Sequence, residues 1–449
     1  MNTLYTFTKR GLPLLLFSLL FCGLASCHTT VKSNQTVMAV EATDSCKSNP
    51  KNTYEVYIPK RDKSIEKLPL LVIIDSHGSG KFALDKFKQA ANQYPTVLVA
   101  SNLVKNGFDG YDGAIQTLID DVHQKYPVGK VVFITGFSGG ARMALGYALA
   151  HPVNGLILCG ALANADQLNA VHCPVISISG MDDFNFIETA QYLFSGQPAP
   201  GNLKIELTDA SHSWPDSLML ANAFGFLDLS CQTKDGPAPS QSQLKTYCRK
   251  QQARINLLKQ QGDFLKAALV ADNMSSTKPF NQDELFTSTN NLKTSPEYIS
   301  QLDRLKKNLE YEIRARQPYI DAFQTKDERW WKNEISTTDA KIKTERDLYT
   351  KDMYLRIKGF LGIASYSLCK QAVKARNPEA LNKILSVYRM LEPQNPDMFY
   401  FSAFPYLWKQ NNEAVFSTLR KALDAGFSDR DQLKNDFPES ITGKLLQKE

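Results

Sequence analysis

The sequence predicts an α/β protein, a doubly wound and mostly parallel sheet, followed by an all-α region. Three observations carry this. Between residues 54 and 229 short β-branched runs alternate with helix-sized segments. Several runs, such as LLVII at 70–74 and VVFI at 131–134, are apolar throughout, as strands covered on both faces are. Beyond residue 243 the strand signals vanish, and apolar residues recur at spacings of three and four. The chain has 449 residues, 43% of them apolar and 22% charged, with 52 Lys and Arg against 46 Asp and Glu. That composition excludes a mainly disordered chain, and the scattered charges argue against a nucleic-acid surface.

The elements follow in order. Lys9 and Arg10 precede an apolar stretch at 11–23, shorter than the roughly 20 residues of a spanning helix. It ends in Leu24-Ala25-Ser26-Cys27, which resembles a bacterial lipoprotein signal (1–26) with Cys27 as the acylated residue. A plain signal peptide or an uncleaved anchor is the alternative. Residues 27–50 read as a polar tether, so a soluble body is expected on a lipid anchor in a bacterial envelope membrane, the outer membrane by preference. Beyond Cys27 lie Cys46, Cys159, Cys173, Cys231, Cys248 and Cys369. Export permits disulfides among them, and buried thiols are an equal expectation.

Strands are expected at 54–59, 70–75, 96–100, 131–135, 155–159, 174–179 and 203–207, with helices at 82–93, 114–126, 142–150 and 187–194. The run VVFIT leads directly into Gly136-Phe137-Ser138-Gly139-Gly140 and then into helix formers. A serine on so tight a strand-to-helix turn has its hydroxyl thrust outward, and side chains two residues to either side would clash across the turn.

Here residues 51–231 resemble the α/β-hydrolase family, and GFSGGARMAL is similar to the nucleophile segment of esterases of the dienelactone-hydrolase and polyester-depolymerase type. The resemblance implies Ser138 as nucleophile, then an acid after a later strand, then a histidine. Among the six histidines only His212, in SHSWPDS, follows both Ser138 and the strand at 174–179. Family members carry Gly where this chain has Ser211. The family's G-x-x-D spacing selects Asp183 in SGMDDFN, with Asp182 as substitute, or the two aspartates simply cap the next helix. In the family His-Gly loop, here Ser76-His77-Gly78-Ser79-Gly80, the resemblance implies the Ser79 N–H as one oxyanion donor and the Gly139 N–H as the other; losing one donor costs about 3 kcal/mol. His77 reads as a loop brace, and His123, His151 and His172 as structural.

Residues 232–243 (QTKDGPAPSQSQ) read as a linker and 275–296 as a loop. In the region 244–449, Leu302, Leu305, Leu309 and Ile313 mark one amphipathic helix, and Met353, Ile357, Leu361, Ala364 and Leu368 another. Units beginning near Pro378, Pro396 and Glu413, closing at Gly426, look like tetratricopeptide-type pairs, with a plain bundle as the alternative. Trp330 and Trp331 read as core and rim.

The expected activity is ester hydrolysis by a membrane-anchored serine enzyme, without metal or cofactor. About 45 residues separate Ser138 from Asp183, which leaves little room for an inserted lid and suits bulky esters. A prolyl-oligopeptidase-like serine peptidase, or a binding module presenting a helical groove to a protein partner, are the alternatives. The helical region is expected to supply no catalytic group, so a chain ending near Gly236 should still cleave small esters.

Overall fold

The computed structural model describes residues 36–194, 200–235, 239–277, 280 and 289–447. The signal segment, Cys27 and the first part of the tether lie outside these residues. Strands β1 (Val40–Cys46), β2 (Asn49–Ile58), β3 (Leu68–Ile74), β4 (Val97–Ser101), β5 (Val128–Phe137), β6 (Gly155–Cys159), β7 (Val175–Gly180) and β8 (Leu203–Thr208) form one eight-stranded sheet. Its order is β1-β2-β4-β3-β5-β6-β7-β8, with β3 to β8 parallel and β1 and β2 antiparallel, the mostly parallel doubly wound sheet that was expected. Strand β1 corrects the tether: its Val40–Cys46 segment pairs with β2, and Cys46 is buried. Its side chains are mostly exposed, so no apolar run announced it.

Alternation along the central strands splits the core in two. Leu70, Val72 and Ile74 face α2 (Tyr111–Lys125), α3 (Gly139–Ala150), α4 (Ala165–Ala170) and α5 (Phe186–Phe194). Leu71 and Ile73 face α1 (Gly80–Gln93) and α6 (Ser217–Asp235). Parallel strands sandwiched this way are apolar on both faces, which is why their sequences read as continuous runs.

The supposed linker is helical at both ends, since α6 runs to Asp235 and α7 (Gln241–Gln260) starts after a Ser240 capping box. Residues 236–238 lie outside the described set. Then come α8 (Phe264–Ser275), α9 (Pro296–Thr325), α10 (Glu328–Thr344), α11 (Leu348–Lys374), α12 (Pro378–Leu391), α13 (Pro396–Ser402), α14 (Phe404–Trp408), α15 (Asn412–Asp424), α16 (Arg430–Asp436) and α17 (Glu439–Leu446). The expected aromatic helix of the last pair is broken at Ala403 into α13 and α14, with Pro405 just inside the second. Trp331 is buried and Trp330 half-buried against it, at an edge-on ring distance of 5.1 Å. No disulfide joins the described cysteines.

The amphipathic helices depart from the expected pattern at one apolar and two charged positions. Ile313 is 50% exposed, while its neighbour Glu312 is fully buried in α9; in α11 Arg356 is fully buried beside Ile357. A polar stripe thus enters the contact between helices and sheet.

Thr36–Glu449 is one compact unit, where a linker at 232–243 between two domains was expected. Leu265, Leu305 and Leu309 belong to the core of α2 and α3, and Tyr247, Met274 and Phe280 to that of α1 and α6. Each such side chain contributes about 1.5–3 kcal/mol by burial, against a whole-protein stability of about 5–15 kcal/mol. The expectation of an autonomous hydrolase is therefore reversed: a chain ended near residue 236 is predicted to lose native packing. Its near-UV circular dichroism should be flat and it should bind an apolar dye, where the full chain does neither.

Candidate active site

Ser138 stands between β5 and α3 with φ 55° and ψ −118°, a left-handed conformation for a residue with a side chain. Its N–H donates to the Cys159 carbonyl at 2.8 Å, tying the turn to β6. A Cβ on Gly136 would lie 2.3 Å from the Gly140 carbonyl, and one on Gly140 would lie 2.2 Å from that of Ile74. Both obstacles are backbone, so the turn admits only glycine there.

Three chain segments converge on this hydroxyl. His212 Nε2 lies 2.9 Å from Ser138 Oγ. Its Nδ1 lies 2.9 Å from both carboxylate oxygens of Asp183, which is 1% exposed. The imidazole is packed between the rings of Phe137 and Phe184, at centroid distances of 4.7 and 4.2 Å. Asp183 Oδ1 also accepts the Asn185 N–H at 2.8 Å, so this aspartate meets the histidine and braces the turn into α5 together. Asp182 points elsewhere: its Oδ1 is buried with no hydrogen-bond partner among the described residues, and burial pushes its carboxyl upward. Ser211 has no positive φ, and its carbonyl accepts the Ser213 N–H at 2.7 Å, so the histidine loop does not require glycine at that position.

A second buried carboxylate, Asp75 at the end of β3, was not singled out from sequence. Its Oδ2 accepts Trp214 Nε1–H at 2.8 Å, and its Oδ1 accepts the N–H groups of His77 at 2.9 Å and Ser79 at 3.2 Å. It staples the histidine loop to the loop after β3. The signal was present in the Trp214 indole, which needs an acceptor when buried.

The two amides implied as oxyanion donors differ in state. Gly139 opens α3, so its N–H is one of the donors a helix start leaves without an intrahelical acceptor. The Ser79 N–H is engaged by Asp75. Asn106, also missed from sequence, presses its side-chain amide onto Gly139: a Cβ there would lie 1.7 Å from Asn106 Oδ1. The Asn106 N–H donates to the Ser76 carbonyl at 2.9 Å, fixing this loop beside the serine. His77 is largely exposed, with Nδ1 3.2 Å from Ser76 Oγ. His151 pairs with Asp112 at 3.0 Å, and His123 bonds the Ile119 and Gly129 carbonyls, away from the triad. Among the described residues no group of His, Cys, Asp and Glu could hold a metal ion.

No inserted domain separates Ser138 from Asp183, and the loops of the site also meet residues from the C-terminal region. Lys105, one residue before Asn106, pairs with Asp429 at 3.1 Å, and Arg316 of α9 donates to the Phe184 carbonyl at 2.7 Å. The C-terminal region thus touches the loop that carries Asn106 and the loop that carries Asp183.

Gly180 ends β7 where the histidine loop crosses it, and a Cβ there would lie 1.9 Å from the Ala210 carbonyl oxygen. Gly180→Ala is predicted to displace His212 from Ser138 while leaving the sheet folded. Turnover should fall about 100-fold, measured on a small activated ester with circular dichroism as the folding control.

No family model and no curated protein matches the chain. Among solved structures it is similar to Est1E from Butyrivibrio proteoclasticus, at 14% identity over 43% of this chain and 99% of that one, with a TM-score of 0.35. Esterase B from Lactobacillus Rhamnosis gives 15% identity over 43% of this chain and 88% of that one, with a TM-score of 0.32. An acylaminoacyl peptidase from Pyrococcus horikoshii gives 10% identity and a TM-score of 0.34; the matched part spans 46% of this chain and 43% of the peptidase. Each likeness covers less than half of the chain, and the functional reading rests on the site's own geometry.

Proposed function

We propose that the protein is a serine hydrolase of carboxylic esters, working through an acyl-enzyme on Ser138. The observation that carries this is the unbroken chain Ser138 Oγ, His212 Nε2, His212 Nδ1, Asp183, each link 2.9 Å. In this reading His212 takes the serine proton as Oγ attacks the ester carbonyl, then delivers it to the leaving alcohol. A water then attacks the acyl-enzyme by the same route. Asp183 holds the Nδ1–H tautomer and stabilises the imidazolium. Burial of the carboxylate keeps that interaction out of water, where it is stronger. The Gly139 N–H faces the developing oxyanion from a helix start, where the helix dipole also favours negative charge.

The N-terminal Lys9-Arg10, apolar and Leu-Ala-Ser-Cys pattern supports a further proposal, that the enzyme is held at a bacterial membrane by lipid on Cys27. The distribution of substrate over the membrane face would then set its access to esters.

Ser138→Ala is expected to remove reaction with a fluorophosphonate probe and to lower turnover of p-nitrophenyl acetate by at least about 10⁴-fold. Asp183→Asn should cost about 10³- to 10⁴-fold, and Asp182→Asn less than about tenfold. Retained turnover in the serine variant would end the serine-hydrolase reading, and the opposite ranking of the aspartates would move the acid by one residue. In a bacterial host, Cys27→Ser is expected to shift the protein from membrane to soluble fractions and to remove acyl mass from its N-terminus.

A further inference from the structure

The acid of the triad sits on a short loop, Met181-Asp182-Asp183-Phe184, between β7 and α5. Its outer side is gripped by the helical part of the chain. Arg356 of α11, fully buried, donates from Nη1 to the Met181 carbonyl. Arg316 of α9 donates from Nη2 to the Phe184 carbonyl at 2.7 Å. These two carbonyls bracket Asp182 and Asp183. Both guanidiniums are held by one carboxylate, Glu312, itself fully buried: Arg356 Nε lies 2.7 Å from its Oε2, and Arg316 Nη2 lies 2.6 Å from its Oε1. Aromatic faces fix the two planes, with Arg356 5.0 Å from the Phe186 ring and Arg316 4.6 Å from that of Phe360. Behind them Gly359 of α11 faces Phe184, and a Cβ added there would lie 3.4 Å from its ring.

A buried charge cluster is a poor way to stabilise a domain contact, because apolar residues of the same size do as well or better. This one is also incompletely satisfied. Arg316 Nε and Arg356 Nη2 are buried with no hydrogen-bond partner among the described residues. What the cluster does provide is direction: two fixed donors aimed at two backbone carbonyls three residues apart. The loop they hold carries Asp183 against His212 Nδ1 and the Phe184 ring against the imidazole face.

We propose that Glu312, Arg316 and Arg356 are positioning residues for catalysis, by which the C-terminal helices set the acid loop and through it the orientation of His212. The inference rests on the serine-hydrolase reading of the same site. The helices supply no reacting group; they hold the carboxylate and ring that hold the base. A 1 Å error in such a base costs about 100-fold, so the clamp acts on kcat and leaves the ester subsite alone.

The test uses the full chain. Arg316 is the member nearest the surface, and removing it leaves Glu312 paired with Arg356. Arg316→Ala should keep the native near-UV spectrum, lower kcat for p-nitrophenyl acetate by about 10- to 100-fold, and leave KM within about twofold. Fluorophosphonate labelling should slow by a similar factor. Arg316→Lys, which restores a cationic donor, should recover most of both rates, a rescue that mere packing would not give. If Arg316→Ala does not fold, Glu312→Gln, of the same shape, decides by the same two rates. A folded variant with wild-type kcat and labelling rate overturns the clamp alone. A wild-type protein that the probe does not label overturns the serine-hydrolase reading and the clamp with it.

Discussion

The arrangement depends on one steric constraint, the contact of backbone with backbone at the turn into α3. Gly136, Gly140 and Ile74 meet there with no space for a β-carbon. Ser138 is therefore held at φ 55°, a conformation costing on the order of 1–3 kcal/mol that only a rigid surround maintains. The surround is the centre of the sheet: β5 lies between β3 and β6, and the serine amide is pinned to β6 through Cys159. Everything that addresses the hydroxyl is placed relative to this point, which follows the carboxyl end of β5, the end of the strands at which ligands of open α/β sheets bind.

Around that fixed hydroxyl three loops are tied to each other. Asp75 joins the Trp214 indole to the amides of His77 and Ser79, and Asp183 joins His212 to the Asn185 amide. Both carboxylates are nearly inaccessible, at 3% and 1% exposure. Hydrogen bonds accepted by a buried carboxylate are about twice as strong as neutral ones, and an unmade one is expensive. Two such hubs explain how loops from β3, β7 and β8 keep register with no disulfide among the described residues.

The sheet was legible because its strands are buried on both faces, and that burial writes itself as apolar runs. The edge strand β1 was not, since its exposed residues carry no such run. Ser138, Asp183 and His212 could be named because glycine spacing and chain order restrict the choice, and the structure brings the three into contact. Asp75 and Asn106 carry no spacing signal; their places follow from tertiary contacts with Trp214 and Gly139. The helical half was misread in a more instructive way. The periodicity of α9 and α11 was visible, but it counts apolar positions only, and the residues at the centre of the contact are Glu312 and Arg356. A buried ion pair looks in sequence like a solvated face. Hence two autonomous domains were expected where the cores are shared.

The reach of Arg356 has a consequence for biosynthesis. It bonds the Met181 carbonyl across 175 residues of chain, and the edge strand β8 is covered by α8. A polypeptide made from its N-terminus has its serine, aspartate and histidine well before the helices that seat the acid loop. On the proposed reading, nascent or truncated chains would carry all three reacting groups and still lack their alignment. Activity would then report that the last helices have arrived.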